Sequence, residues 1–129
     1  MKPHQLIGLP YRLGADPVKH HAVDCLSLAR TVLKYYGINS PAPTRDWYRR
    51  VRKKDFDIFK EELEKWGNET KQFNIGTVAL CKSNNGFGLA VYYEEGWINC
   101  GESEVRWSPL DGLEVVGCYS PQKSNYVKQ

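Results

Sequence analysis

Cys25 is the residue of this chain whose type and position best suit covalent chemistry. The segment HHAVDCLSL, residues 20–28, places it directly after Asp24 and shortly after His20 and His21. A cysteine attacks as its thiolate, and the unpaired amides and dipole of a helix N-terminus stabilise that anion. Because an amphipathic helix is predicted to begin here, Cys25 is either a nucleophile with a lowered pKa or an ordinary buried thiol.

The other cysteines, Cys81, Cys100 and Cys118, each lie in a run with the alternation of a strand. A thiol in such a run behaves as a small apolar side chain, so we interpret these three as reduced and structural. The cysteines are widely spaced and form no CxxC pair, whereas a zinc site needs ligands that are paired closely along the chain. The sequence therefore predicts no metal site and no cofactor.

The length and composition indicate one globular domain. The chain has 129 residues, of which 41% are hydrophobic and 26% charged, which is enough for a core of its own. No apolar run is long enough to span a membrane, and the N-terminus MKPHQLIGLPYR lacks the apolar stretch of a secretory signal. We expect a soluble protein without a membrane partner, which stays in the cytoplasm of its producer or leaves by another route, such as inside a virus particle.

The net charge of +3 is too small to indicate nucleic-acid binding by itself, and we predict no nucleic-acid partner. The basic stretch RDWYRRVRKK, residues 45–54, is followed directly by the acidic stretch DFDIFKEELEK, residues 55–65. We interpret the two as a solvated pair of helices with offsetting charge. The alternative is that Trp47 and Tyr48 help to form a wall that binds an anionic polymer.

Helical periodicity dominates the first half of the chain. Asp24 suits the N-cap of a helix that contains Cys25, and Gly37 suits its end. Thr44 suits the cap of a second helix, and a third helix is predicted over residues 56–66. The apolar residues that recur at the spacing of one face of the first helix are Leu28, Ala29, Val32, Leu33 and Tyr36.

From Gly76 onward the period changes to two, which is typical of strands. The segment EEG, residues 94–96, is short enough for a tight hairpin. Helices first and an antiparallel meander second predict an α+β domain over residues 1–120, with a flexible tail over residues 121–129. The predicted strands cover residues 76–82, 88–93, 96–100, 104–108 and 113–119.

Several segments, taken in order, resemble the NlpC-type cell-wall cysteine peptidases. That family has a G-x-PY-x-x-GG segment followed by DCSGL at the start of a helix. Here IGLPYRLGAD and DCLSL stand in those places, GTVAL stands at a family strand start, and GLAVYYEEGWINC stands where the family has HVGIYxGxGxxIHA. The N-terminal matches are Gly8, Pro10, Tyr11, Gly14, Asp24, Cys25 and Leu28. The resemblance implies a papain-like fold, with N-terminal helices packed on a C-terminal antiparallel sheet of about five strands.

The resemblance also implies roles for individual residues. Cys25 would attack a peptide bond of the bacterial cell wall, a histidine on the sheet would act as base, and a third polar residue would orient that histidine. The base position is occupied by Gly88, which cannot accept a proton, and Asn99 falls near the orienting position. The residues expected to form the substrate pocket are Tyr11, Asp24, Ser27 and Gly88.

Three functions follow from these observations. The favoured one is a degenerate member of the family, which acts as a phage tail or virion module or binds peptidoglycan, with cell-wall peptides or other virion proteins as partners. The second is an active cysteine endopeptidase or amidase, in which the loop before Cys25 folds back so that His21 or His20 serves as base. The third is an unrelated α+β protein whose Cys25 is buried and whose aromatic residues fill the core.

Overall fold

The computed structural model describes residues 1–84, 86–101 and 103–127 and confirms the predicted α+β class. No helix within these ranges is both long enough and apolar enough to cross a membrane. The helices are α1 (Pro17–His20), α2 (Cys25–Tyr35), α3 (Arg45–Arg52) and α4 (Asp57–Trp66). The strands are β1 (Gly67–Glu69), β2 (Val78–Ser83), β3 (Gly86–Tyr93), β4 (Gly96–Cys100), β5 (Val105–Pro109) and β6 (Glu114–Pro121).

The caps of the helices lie where the sequence predicts them. Oδ1 of Asp24 accepts a hydrogen bond from the backbone N–H of Ser27 at 2.7 Å, and Oγ of Ser27 accepts one from the backbone N–H of Asp24 at 3.0 Å. This reciprocal capping box starts α2. Gly37, with a left-handed φ of 74°, follows the end of α2, and Oγ1 of Thr44 accepts from the N–H of Trp47 at 3.0 Å to start α3.

The strands form one antiparallel sheet in the order β1-β6-β2-β3-β4-β5. The predicted hairpin joins β3 to β4 through Glu94 and Glu95, with Tyr93 paired to Gly96. Both glutamates have positive φ, 47° and 58°, as a two-residue turn of type I′ requires. The sequence missed β1, because its residues GNE carry no apolar alternation and pair only through β6.

The helices pack on one face of the sheet, where the main core lies. Helix α2 contacts β3 and β4 most closely, so the first residue of α2 is held against the sheet. A smaller cluster on the other face surrounds the fully buried Trp97. Members of the main core include Leu28 and Val32 of α2, Leu89 and Val91 of β3, and Ile98 of β4.

The segment after β6, which the sequence predicts as a flexible tail, is bonded to the body of the domain. The N–H of Asn39 donates to the carbonyl of Asn125 at 2.7 Å, and the N–H of Val127 donates to the carbonyl of Gly37 at 2.8 Å. The polar composition of this segment gave no sign of these backbone bonds, which pair it with the loop after α2. Residues 128 and 129 of the predicted tail lie outside the described residues.

Candidate functional site

Cys25 is the first residue of α2, and its sulfur lies against β3. The backbone N–H groups of Leu89 and of Leu26, in the first turn of the helix, lie near enough to the sulfur to favour its thiolate. The residue as a whole is half-buried, but its sulfur is shielded from water. The N-terminal end of α2 therefore faces β3.

The thiol of Cys25 is not activated by this position. Burial raises its pKa from 9.0 to about 12, and the neighbouring Asp24 carboxylate contributes to the rise. The amides of Leu89 and of the first helical turn lower the pKa, but by less. Of the two alternatives for Cys25, this pKa favours the ordinary buried thiol, because the loss of solvent around the sulfur outweighs the stabilisation that the amides provide.

Cys25 lines an open cleft with a volume of about 680 Å³. Gly88, Asn99 and Tyr11, three of the residues predicted for the site, line the same cleft. Its volume lies within the range of roughly 300–1,000 Å³ that is usual for ligand sites. The structure thus brings together the positions that the sequence resemblance assigns to nucleophile, base and orienting residue.

Gly88 leaves open space in the cleft. It pairs with Cys81 of β2, and no atom lies within 4 Å of the point that a Cβ at residue 88 would occupy. Its backbone lies outside the left-handed region, so other residue types can adopt the same conformation. A side chain could therefore be placed here without a clash.

Asn99 is buried, and its amide holds β4 and β5 together. Its Nδ2 donates to Oγ of Ser108 at 3.1 Å and to the carbonyls of Trp97 and Arg106 at 3.3 and 3.4 Å. The N–H donors of the Asn99 amide are therefore bonded to acceptors of β4 and β5.

The two candidate bases before α2 are not brought to Cys25. Nδ1 of His20 accepts a hydrogen bond from the backbone N–H of Asp16 at 2.9 Å, and the residue is exposed. His21 is exposed in a left-handed conformation with a φ of 51°. All three histidines of the chain belong to the described residues, and none of them lines the cleft.

Asp24 and Ser27, which the sequence places in the pocket, are not part of its lining. Asp24 is fully buried, and its Oδ2 accepts a hydrogen bond from the N–H of Gly14 at 2.8 Å. The hydroxyl of Tyr48 lies near the same carboxylate, which helps to raise the pKa of Tyr48. Asp24 thus joins the N-terminal loop to the start of α2, while the capping box occupies Ser27. Tyr48 is a neighbour of Asp24 that the sequence did not indicate.

Tyr11 lies at the rim of the cleft with 41% of its surface exposed. Its backbone N–H donates to the carbonyl of Ser103 at 2.9 Å, while the N–H of Val23 donates to the carbonyl of Pro10 at 3.0 Å. These bonds hold the N-terminal segment beside the residues that lead into α2. Burial and the charges of Cys25 and Asp24 raise the pKa of Tyr11 to about 12, so a neutral phenol stands near the sulfur.

The cleft also contains residues that the sequence did not assign to this site. Cys100 is half-buried beside Cys25, and burial raises its pKa, with Cys25 as the next contributor. Trp47, which the sequence offered only for a possible anion-binding wall, and Phe59 line both the cleft and a small pocket of about 40 Å³. Three basic side chains also belong to the lining: Arg52, Lys54 and Arg106. The sequence signal for Arg52 and Lys54 was the basic stretch of residues 45–54, whereas Arg106 had no such signal.

Fold and cleft define an α+β protein whose cysteine, at the start of its longest helix, faces an antiparallel sheet across an open cleft. No model of a known protein family matches the chain, and no curated protein matches it. What the protein does therefore has to follow from the cleft and the residues that line it.

Proposed function

We propose that the protein is a papain-like domain of the NlpC type that has kept the cleft of a cysteine peptidase and lost its catalytic base. It binds bacterial cell-wall peptides without cutting them, either as a peptidoglycan-binding module or as part of a phage tail in contact with other virion proteins. The observation that carries the proposal is that Cys25 and Gly88 line one cleft, with the backbone of Leu89 beside the sulfur.

Peptide hydrolysis by a cysteine needs two proton movements, and the cleft supports neither of them well. The thiol must lose its proton before attack, and the leaving amine must gain one. With a pKa of about 12, only a small fraction of Cys25 is thiolate near neutral pH. No described histidine lines the cleft to supply the second proton, and such general acid–base catalysis contributes about 10²–10⁴ in rate.

The alternative, an active endopeptidase or amidase with a relocated base, needs an imidazole within hydrogen-bond reach of the sulfur. His20 is bonded to the backbone of Asp16, and His21 is exposed in the loop before α2. No contact of either residue favours this alternative. Hydrolysis is therefore the competing outcome in the experiment that tests the proposal.

Sedimentation with purified, insoluble peptidoglycan separates binding from hydrolysis. We expect the wild-type protein to pellet with the cell wall, while no soluble peptide fragments are released during long incubation near neutral pH. Cys25→Ser is the matched variant, because it removes the thiol with little change in volume, and it should pellet equally.

Release of fragments by the wild-type protein, but not by Cys25→Ser, would replace the proposal with an enzyme. A wild-type protein that stays in the supernatant would remove the cell-wall ligand from the proposal. Recovery of the protein from assembled phage particles would then decide whether the tail role stands.

A further inference from the structure

Three basic side chains line the cleft without an ion-pair partner among the described residues. Arg52 is the last residue of α3, Lys54 follows it by two residues, and Arg106 lies on β5. All three are exposed. They come from two separate elements, so the positive charge is not confined to one side chain or one loop.

Two cations of α3, Arg49 and Arg50, are already paired, whereas Arg52 and Lys54 pair with no carboxylate among the described residues. Arg49 pairs with Asp46, and Arg50 pairs with both Asp55 and Glu61. No aspartate or glutamate among the described residues lines the cleft. The positive charge of the cleft is therefore not neutralised from within this part of the protein, and it favours an anionic ligand.

Much of the remaining lining is apolar and only half-buried. An apolar surface that is rimmed by charge is typical of a binding site rather than of ordinary protein surface. The half-buried apolar residues of the lining are Leu13, Val51, Phe56, Phe87 and Leu113. A ligand that fits this cleft therefore combines anionic groups with an apolar segment.

The guanidinium of Arg106 is positioned by Gly101. A Cβ at residue 101 would lie 2.5 Å from Nε of Arg106, so the side chain of Arg106 crosses the space that glycine leaves free. Gly101 itself lines the cleft, and Asn99 is the cross-strand partner of Arg106. The place of this cation thus depends on a residue without a side chain.

Lys54 has a left-handed backbone conformation, which glycine adopts more easily than lysine does. Its φ is 60°, and the bond from the N–H of Asp55 to the carbonyl of Arg50 closes the end of α3 around it. Such a helix end usually has glycine in the left-handed position, because a side chain there is disfavoured.

We propose that the cleft binds an extended peptide that carries carboxylates on both sides of an apolar stretch. Arg106 pairs with one carboxylate, and Arg52 and Lys54 pair with the other, while apolar side chains of the peptide lie against Phe56 and Phe87. The inference rests on the proposed function only in taking a peptide as the ligand. A nucleic acid fits less well, because three cations are few beside the roughly 6–10 phosphate contacts of a typical complex.

Fluorescence anisotropy with two labelled peptides tests the need for charge. One is a capped tetrapeptide with a glutamate at each end and two leucines between them, carrying an uncharged dye. The other has glutamine in place of both glutamates. We expect the glutamate peptide to bind about tenfold more tightly at low salt, with a smaller difference at high salt. Equal binding of the two peptides, or binding of neither, would overturn the inference.

Variants then test the assignment to this cleft. Lys54→Gln and Arg106→Gln should each weaken binding of the glutamate peptide by about threefold to tenfold. Lys53→Gln is the matched control, since it removes the same charge at an exposed residue outside the lining. Gly101→Ala keeps the net charge but displaces the guanidinium of Arg106, so it should weaken binding as Arg106→Gln does. Thermal unfolding verifies that each variant is folded.

A loss with Lys53→Gln equal to the loss with Lys54→Gln would show a general effect of net charge and would overturn the assignment. The peptidoglycan experiment remains a separate measurement. Charge-dependent peptide binding without pelleting would leave this inference standing and reject the cell-wall ligand. Pelleting with peptidoglycan, together with equal binding of the two peptides, would keep the cell-wall ligand and overturn this inference.

Discussion

Cys25 shows how the neighbours of one sulfur atom act against each other. The amides of Leu89 and of the helix start favour its thiolate, while burial and the Asp24 carboxylate favour its thiol. Burial and the Asp24 carboxylate prevail, so the pKa of Cys25 is raised to about 12. Position at a helix start is therefore not enough to activate a cysteine when the same position removes it from water.

Alkylation by iodoacetamide should be slow for Cys25 in the folded protein. Because the thiolate is the reacting form, we expect a rate near neutral pH at least about a hundredfold below that of an ordinary cysteine, rising with pH up to about pH 10. Peptide mapping by mass spectrometry measures the rate at each cysteine separately. Protein unfolded in denaturant is the control, and a folded-state rate that levels off near neutral pH would contradict the raised pKa.

Gly88→His should place an imidazole beside Cys25. The open space at residue 88 admits the side chain, and an imidazolium near the sulfur favours the thiolate. We expect alkylation of Cys25 near neutral pH to become about tenfold faster. Gly88→Gln is the matched control, as it adds similar bulk without a titrating group. Identical rates in the two variants would mean that a side chain at residue 88 does not reach the sulfur.

At the scale of elements, caps and turns explain most of the local structure. Asp24 and Asp16 both cap helices, but their surroundings differ. Asp24 is fully buried and accepts bonds from the N–H groups of Ser27 and Gly14, whereas Asp16 is exposed and, among the described residues, accepts from the N–H groups of Val18 and Lys19. The same residue type therefore carries a different share of stability at the two helices.

Asp24→Ala should lower the free energy of unfolding by about 2–4 kcal/mol, because it leaves the N–H groups of Ser27 and Gly14 without their acceptor and a gap at a fully buried residue. Asp16→Ala, the matched change at an exposed cap, should cost about 1 kcal/mol or less. Urea unfolding at neutral pH measures both values. Equal losses would show that the extra contacts of Asp24 contribute nothing to stability.

The turn between β3 and β4 offers a stabilising substitution. Glu95 has a φ of 58°, a conformation that glycine adopts more easily, so Glu95→Gly should raise the free energy of unfolding by up to about 1 kcal/mol. Glu114→Gly, on the extended strand β6, is the control and should lower it by about 0.5–1 kcal/mol. A loss of stability in Glu95→Gly would contradict the type I′ assignment.

At the scale of the whole molecule, the buried thiols make the free energy of unfolding depend on pH in the alkaline range. Burial raises the pKa of Cys25 and of Cys81 to about 12, from 9.0 in the unfolded chain. Since the unfolded chain loses these protons first, the stability is fully present below about pH 9 and falls as the pH rises toward 12. Unfolding in urea between about pH 8 and 11 should show this decrease, and Cys81→Ala should make it shallower. Parallel curves for the two proteins would contradict the raised pKa of Cys81.

The sequence was sufficient for features with local causes. Asp24, Gly37 and Thr44 indicated the ends of helices, and the alternation in residues 88–100 indicated the hairpin on which Gly88 lies. Strand β1 could not be predicted, because its pairing comes from β6 about fifty residues later. The sequence left the direction of the Cys25 pKa open, because it does not show how far folding shields the sulfur from water. That Arg52 and Lys54 pair with no carboxylate among the described residues depends on which cations the nearby carboxylates reach, and composition does not show this.

Trp47 connects two spaces of the molecule, because its ring lines the cleft on one side and the small pocket behind it on the other. Edge contacts with Tyr48 and Phe59 hold the indole between them. Because Trp47 is otherwise buried, a ligand in the cleft changes the polarity around its indole ring. The protein thus contains its own optical reporter, and a shift in tryptophan emission on titration would reveal occupancy without any dye.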